Sequence, residues 1–201
     1  MEKRIITLTL TLLVAAFATA SVFTYYPFTL LVKPVSPPII FEPGSNANQP
    51  DLESDNTIKV DLGGSKASVE ITIHPTYRTT YYKNVILIHN VDGRAYNVWL
   101  ILADRTSNLP SGSKVWLIIF REDASRDLQG YPDPRPPSGT VKTINLTAIN
   151  TDEPQQIGTL DSEDIWEIDF MVYIPEGTTI IGVEETFSIH IVYTPSDETP
   201  P

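Results

Sequence analysis

Cysteine is absent from the 201 residues. That excludes disulfides, zinc–thiolate and iron–sulfur sites, blue-copper centres and cysteine nucleophiles. Basic residues are few, with 14 Lys and Arg against 25 Asp and Glu and a net charge of −11. A surface of that sign repels nucleic acid and anionic lipid, because phosphate binding needs clustered Lys and Arg. No segment carries the 3.6-residue apolar period of a helix. Motifs that organise chemistry are missing too. There is no His-Glu-x-x-His pair and no Gly-x-Ser-x-Gly elbow. Gly63-Gly64-Ser65-Lys66 lacks the glycines of a P-loop and reads as a tight turn.

The remaining candidates for chemistry are sparse. His74, His89 and His190 each fall on an expected strand, none beside a second ligand at metal spacing. Asp161-Ser162-Glu163-Asp164 and Glu184-Glu185 fall at turns or strand starts, where solvated acids are ordinary. Calcium is the alternative there, although no EF-hand loop is present. The chain therefore reads as a non-enzyme with no metal, no cofactor and no small-molecule substrate. Asn145-Leu146-Thr147 is an N-glycosylation sequon, and strand alternation turns Asn145 outward, as a glycan requires.

What the chain does have is an apolar N-terminus in two parts. Met1-Glu2-Lys3-Arg4 is a charged head, Ile5 to Phe17 is almost wholly apolar, and Ala18-Thr19-Ala20 is a small-x-small triplet. That order predicts a signal peptide over residues 1–20, cleaved after Ala20, and so a secreted protein. The alternative is an uncleaved anchor over residues 5–23, against which stand Thr7, Thr9, Thr11 and Thr19. Cleavage leaves 12 basic and 24 acidic residues.

A second apolar stretch follows. Residues 21–41 form an extended arm with Val22, Phe23, Tyr25, Tyr26, Phe28, Leu30, Leu31 and Val32, and then Ile39, Ile40 and Phe41. An exposed apolar strand invites aggregation, so the arm must either fold back into its own sheet or be donated to a neighbour. Donation is head-to-tail and need not close, so it makes a filament. Pro27 and Pro34 lack an N–H and break the arm into pieces such as Phe28–Val32 and Pro38–Phe41.

Residues 42–56 read as a polar linker and residues 57–193 as the folded domain, with a polar tail over 194–201. Within the domain the apolar period is two. Strands are expected over 57–61, 69–73, 81–89, 95–103, 115–120, 140–148 and 165–174, with one or two more in 178–193. Asp92-Gly93 is a hairpin signal. Trp166, Ile168, Phe170 and Val172 are placed on the core face, Glu167 and Asp169 on the wet face. The proline-bearing stretch Arg121–Gly139 reads as a surface loop. Seven to nine strands at this spacing give an all-β sandwich, jelly-roll-like or immunoglobulin-like.

Certain segments also carry a resemblance. Ser21-Val22-Phe23-Thr24-Tyr25 follows the leader. Ala67-Ser68-Val69-Glu70-Ile71-Thr72-Ile73, Tyr82-Lys83-Asn84-Val85-Ile86-Leu87-Ile88-His89-Asn90 and Ala95-Tyr96-Asn97-Val98-Trp99-Leu100 come next. Ile165-Trp166-Glu167-Ile168-Asp169-Phe170 leads to Pro175-Glu176-Gly177. In this order they resemble the TasA/camelysin group of biofilm fibre proteins and archaeal bundling pili and threads. The resemblance implies a jelly-roll-like subunit that polymerises by giving its N-terminal strand to the next copy. Its partners would then be itself, in a homopolymer, and neighbouring filaments in bundles. The prolines and the Arg121–Gly139 loop depart from the bacterial members, and protease activity is not implied by any residue here. The expectation is an extracellular, cell-surface filament subunit. The alternative is a secreted or membrane-tethered monomeric β-sandwich binding module.

Overall fold

The computed structural model describes residues 25–126 and 139–198, together with Ile6. The signal peptide expected over 1–20, Val22 and Phe23 of the arm, and the prolines at 132–137 lie outside the described residues. The chain divides into two units, Met1–Val35 and Ser36–Pro201. In the first, residues 25–35 carry no regular secondary structure. The second is an all-β sandwich.

Among the described residues ten strands build it: β1 Ile39–Pro43, β2 Lys59–Leu62, β3 Val69–Thr72, β4 Arg78–Asn90, β5 Tyr96–Arg105, β6 Lys114–Arg121, β7 Lys142–Asn145, β8 Gln155–Leu160, β9 Ile165–Ile174 and β10 Phe187–Pro195. They form a five-stranded sheet in the order β1-β4-β9-β6-β7, a three-stranded sheet β10-β5-β8 and a β2-β3 hairpin. All recorded strand pairs are antiparallel. Between the two larger sheets lie Val85, Val98, Leu100, Leu117, Ile119, Leu160 and Trp166, all buried.

Several strand expectations hold closely. Strand β9 has the expected limits, and Trp166, Ile168 and Val172 are buried as the alternation requires. Ile144 and Leu146 also face inward. Two strands are additional. Strand β8 escapes a period-2 reading because its buried residues, Ile157 and Leu160, are three apart. Its register against β5 slips between Val98 and Trp99, so an odd spacing still points both side chains at the core.

Strand β1 is the second addition, and it revises the arm. Ile39, Ile40 and Phe41, expected in the arm, pair with Asn90, His89 and Ile88 of β4 in the same chain. Ile39 is buried in the core. Glu42 and Pro43 of the expected linker complete the strand, and Gly44 continues the contact, its N–H donating to the Val85 carbonyl at 3.0 Å. A Cβ on Gly44 would stand 2.2 Å from the Asn84 carbonyl oxygen. The close approach is made at a bulge in β4, where Asn84 takes a positive φ of 44°.

The Asp92-Gly93 turn is not a hairpin. It carries the chain from the five-stranded sheet to the three-stranded one, since β4 and β5 do not pair. Asn90 fixes this corner. Its side-chain amide donates to the carbonyls of Arg94 and Asp161 at 2.7 Å each, and its Oδ1 accepts from the Asp92 N–H. Strands apolar on both faces cannot lie side by side at a wet edge, so the chain passes between layers instead.

Candidate subunit interface

Most of the exposed large apolar side chains among the described residues lie in the arm, with Leu52, Val91 and Ile181 exposed singly in loops. In the N-terminal unit, Tyr25, Tyr26, Phe28, Leu30, Leu31, Val32 and Val35 are 70–88 % exposed. Of the residues expected to make a subunit contact, these arm positions are exposed, whereas Ile39, Ile40 and Phe41 belong to β1.

Each larger sheet has two edges, and the four differ. Strand β1 is partly satisfied on its outer side, since the Phe41 N–H donates to the Lys66 carbonyl at 2.8 Å. Lys66 also pairs with Glu42 at 3.0 Å, and His89 approaches Glu42 at 3.4 Å, tying the β2-β3 turn to this edge. The Lys66 hydrogen bond holds the Glu42 carboxyl below its ordinary value, with the Lys66 and His89 charges adding to it and partial burial opposing it. Strand β7 spans four residues, and its inward Ile144 is covered. Strand β8 buries both Ile157 and Leu160, and β7 and β8 touch across one side of the sandwich.

Strand β10 is different. It is nine residues long, and its register against β5 sets Ile189, Ile191 and Tyr193 opposite Leu102, Leu100 and Val98. Those β5 partners are fully buried. Yet Phe187, Ile189, Ile191 and Tyr193 are only partly buried while packing on the same core. Among the described residues no strand pairs with the other side of β10. The side chains between, Ser188 and His190, face solvent. The alternation F-S-I-H-I-V-Y is visible in the sequence, but that the strand ends a sheet is not.

The outer face of the five-stranded sheet is covered, contrary to expectation. Glu167 and Asp169, which alternation assigns to a wet face, are 6 % and 0 % exposed. Beside them Trp116, Ile118, Phe120 and Met171 form a second apolar cluster, against which Tyr81, Ala124 and Tyr173 pack. Arg126, from the stretch read as a surface loop, is buried there. Its guanidinium pairs with Glu167, donates to both Asp169 oxygens at 3.0 and 3.1 Å, and lies 4.2 Å from the centre of the Phe120 ring. The Tyr81 hydroxyl and the Asn84 N–H also donate to Asp169. Burial opposes the Arg126 charge, but the Asp169 and Glu167 carboxylates outweigh it and raise the arginine above its ordinary value. Burial also raises the Tyr81 phenol, with the Asp169 hydrogen bond and charge acting in the same direction.

The residues considered for chemistry are dispersed. His74 lies beyond the end of β3, its Nδ1 3.0 Å from the buried Asp51 carboxylate. His89 is in β4 and His190 on the outer face of β10. Among the described residues no three His, Asp or Glu side chains are placed to hold a metal ion. Glu185 accepts from the backbone N–H groups of Ser107, Asn108 and Leu109, which fixes the loop after β5. It borders a shallow groove of about 200 Å³ with Arg105, Pro110 and Thr147. Asn145 lies on β7, where its Oδ1 accepts from the Thr147 N–H and hydroxyl at 3.1 and 2.6 Å. Among the described residues no helix is long and apolar enough to cross a membrane. No protein-family profile matches the chain, and no curated protein is significantly similar to it.

Proposed function

We propose that this chain is the structural subunit of an extracellular filament, a pilus or thread of the biofilm-matrix kind, and that it polymerises head to tail by giving its N-terminal segment to the next copy. The observation that carries this reading is the run of seven bulky apolar side chains between Tyr25 and Val35, each at least 70 % exposed. Soluble monomers do not keep such a run in water. The resemblance to the TasA/camelysin group supports the same reading. A net charge of −11 favours it too, because like-charged subunits stay soluble before assembly. Exposed acidic faces and a glycan on Asn145 are the surfaces through which neighbouring filaments would bundle or be kept apart.

The test is electron microscopy of the chain from Ser21 beside a chain lacking residues 21–32. The full arm gives thin uniform filaments. The deletion gives monomers with unchanged thermal stability, because β1 begins only at Ile39 and the body keeps all its strands. Filaments from the deleted chain refute strand donation. A monodisperse monomer from the intact arm favours instead the secreted binding module, for which the Arg105–Glu185 groove is the place to look.

A further inference from the structure

We infer that the acceptor of the arm is the free edge of β10, and that the inserted piece is Phe28–Lys33 of a second copy; this rests on the filament reading. Three observations select this edge. First, of the four edges of the two larger sheets, β10 is the one whose core-facing side chains stay half uncovered along its whole length. Phe187, Ile189, Ile191 and Tyr193 pack on the core from one side only, whereas Ile144 of β7 and Ile157 and Leu160 of β8 are closed over. A strand added beside β10 therefore buries apolar surface that the monomer leaves wet. A strand added at β7 or β8 gains hydrogen bonds alone. Second, β10 is the longest of the four edges, nine residues against four to six. Strand β1 is excluded because the Lys66 turn already holds the Phe41 amide.

Third, the arm is cut to fit. Phe28-Thr29-Leu30-Leu31-Val32-Lys33 is bounded by Pro27 and Pro34. All six residues carry an N–H, and the ladder must stop at each proline. Six residues span about 20 Å, which β10 accommodates with room at either end. In a strand, Phe28, Leu30 and Val32 share one face and Thr29, Leu31 and Lys33 the other. The first face meets the open core, while Leu31 and Lys33 lie on the outward face. Pairing of main-chain groups gives the affinity, and the three inward side chains set the register.

The absence of cysteine makes the test clean, since any disulfide is an introduced one. Leu31→Cys in the arm is combined in turn with Ser188→Cys, His190→Cys or Thr194→Cys on β10, and with Thr143→Cys on β7 or Thr159→Cys on β8 as controls. Neighbouring strands lie about 4.8 Å apart, within the Cα separation that a disulfide spans. Filament formation is scored by microscopy and cross-linking by denaturing electrophoresis with and without reductant. The expected result is a reducible ladder of multimers from one or two β10 positions, with the controls remaining monomeric bands. Filaments whose ladder comes from β7 or β8, or filaments with no ladder from any β10 position, overturn the β10 assignment and leave strand donation standing. No filaments from the cysteine-free parent chain overturn both.

Discussion

Replacing Arg126 by Met should be among the most damaging single changes in the folded unit, although sequence patterning puts the residue in an exposed loop. The substitution leaves a shorter, unbranched apolar stem and removes the charge together with the guanidinium that lies over Phe120. It leaves Glu167 and Asp169, 6 % and 0 % exposed, without their cation. Breaking a buried pair by removing one partner costs about 3–5 kcal/mol, chiefly from the uncompensated buried charge. For a domain of this size that corresponds to a fall in Tm of roughly 6–20 °C. The control is Arg78→Met, which breaks the Arg78–Glu176 pair at 64 % and 62 % exposure and should leave stability nearly unchanged, because water already screens the pair. Chemical denaturation of both variants, made in the chain lacking residues 21–32 so that assembly does not intervene, gives the comparison. Adding Glu167→Gln and Asp169→Asn to Arg126→Met should recover part of the loss, since the neutral amides no longer demand a counter-ion. An Arg126→Met variant within 1 kcal/mol of the parent refutes the reasoning. It would mean that water reaches the two carboxylates and that the outer face of the five-stranded sheet is not closed.

Other consequences are open to measurement. Gly44→Ala should lower stability by about 1–3 kcal/mol, because the new Cβ meets the Asn84 carbonyl and β1 or the β4 bulge must shift; calorimetry decides, and an unchanged Tm refutes the contact. Leu100→Ala, at a fully buried position between the sheets, should cost about 2–5 kcal/mol in the same assay. The Glu42 carboxyl, lowered by Lys66, and the Asp92 carboxyl, lowered chiefly by the hydrogen bond from the Tyr96 hydroxyl, contribute stability that is complete above the ordinary carboxyl range and is lost as pH falls through that range to their folded values. Acid titration of Tm should therefore fall below about pH 4.5, and Glu42→Gln should flatten part of the slope. Burial raises Tyr81 and Tyr82 well above ordinary tyrosines, so their contribution is present below pH 10 and disappears under alkaline conditions. Ultraviolet titration should show at least two of the nine tyrosines resisting ionisation until the chain unfolds; smooth ionisation of all nine at an ordinary pKa sinks this assignment.

The all-β class, most strand positions and the core face of β9 follow from the amino-acid sequence, because a two-residue period states which side chains point together whatever the strand's neighbours are. The apolar stretch after the leader is equally plain, and so are the prolines that segment it. Which strands are neighbours is another matter. Asp92-Gly93 has the residues of a hairpin, yet it passes between sheets, and only the packing of β4 against β9 and β5 against β10 decides that. Ile39–Phe41 has the same composition whether donated or retained; pairing with β4 retains it. Glu167 and Asp169 alternate as wet residues do, and Arg126 sits in a polar stretch, but this counter-charge from a distant part of the chain closes the face over them. Alternation sorts side chains between two faces of a strand. Whether each face is covered, and which edge is left without a neighbour, depends on distant chain, so the long uncovered edge at β10 belongs to the tertiary structure alone.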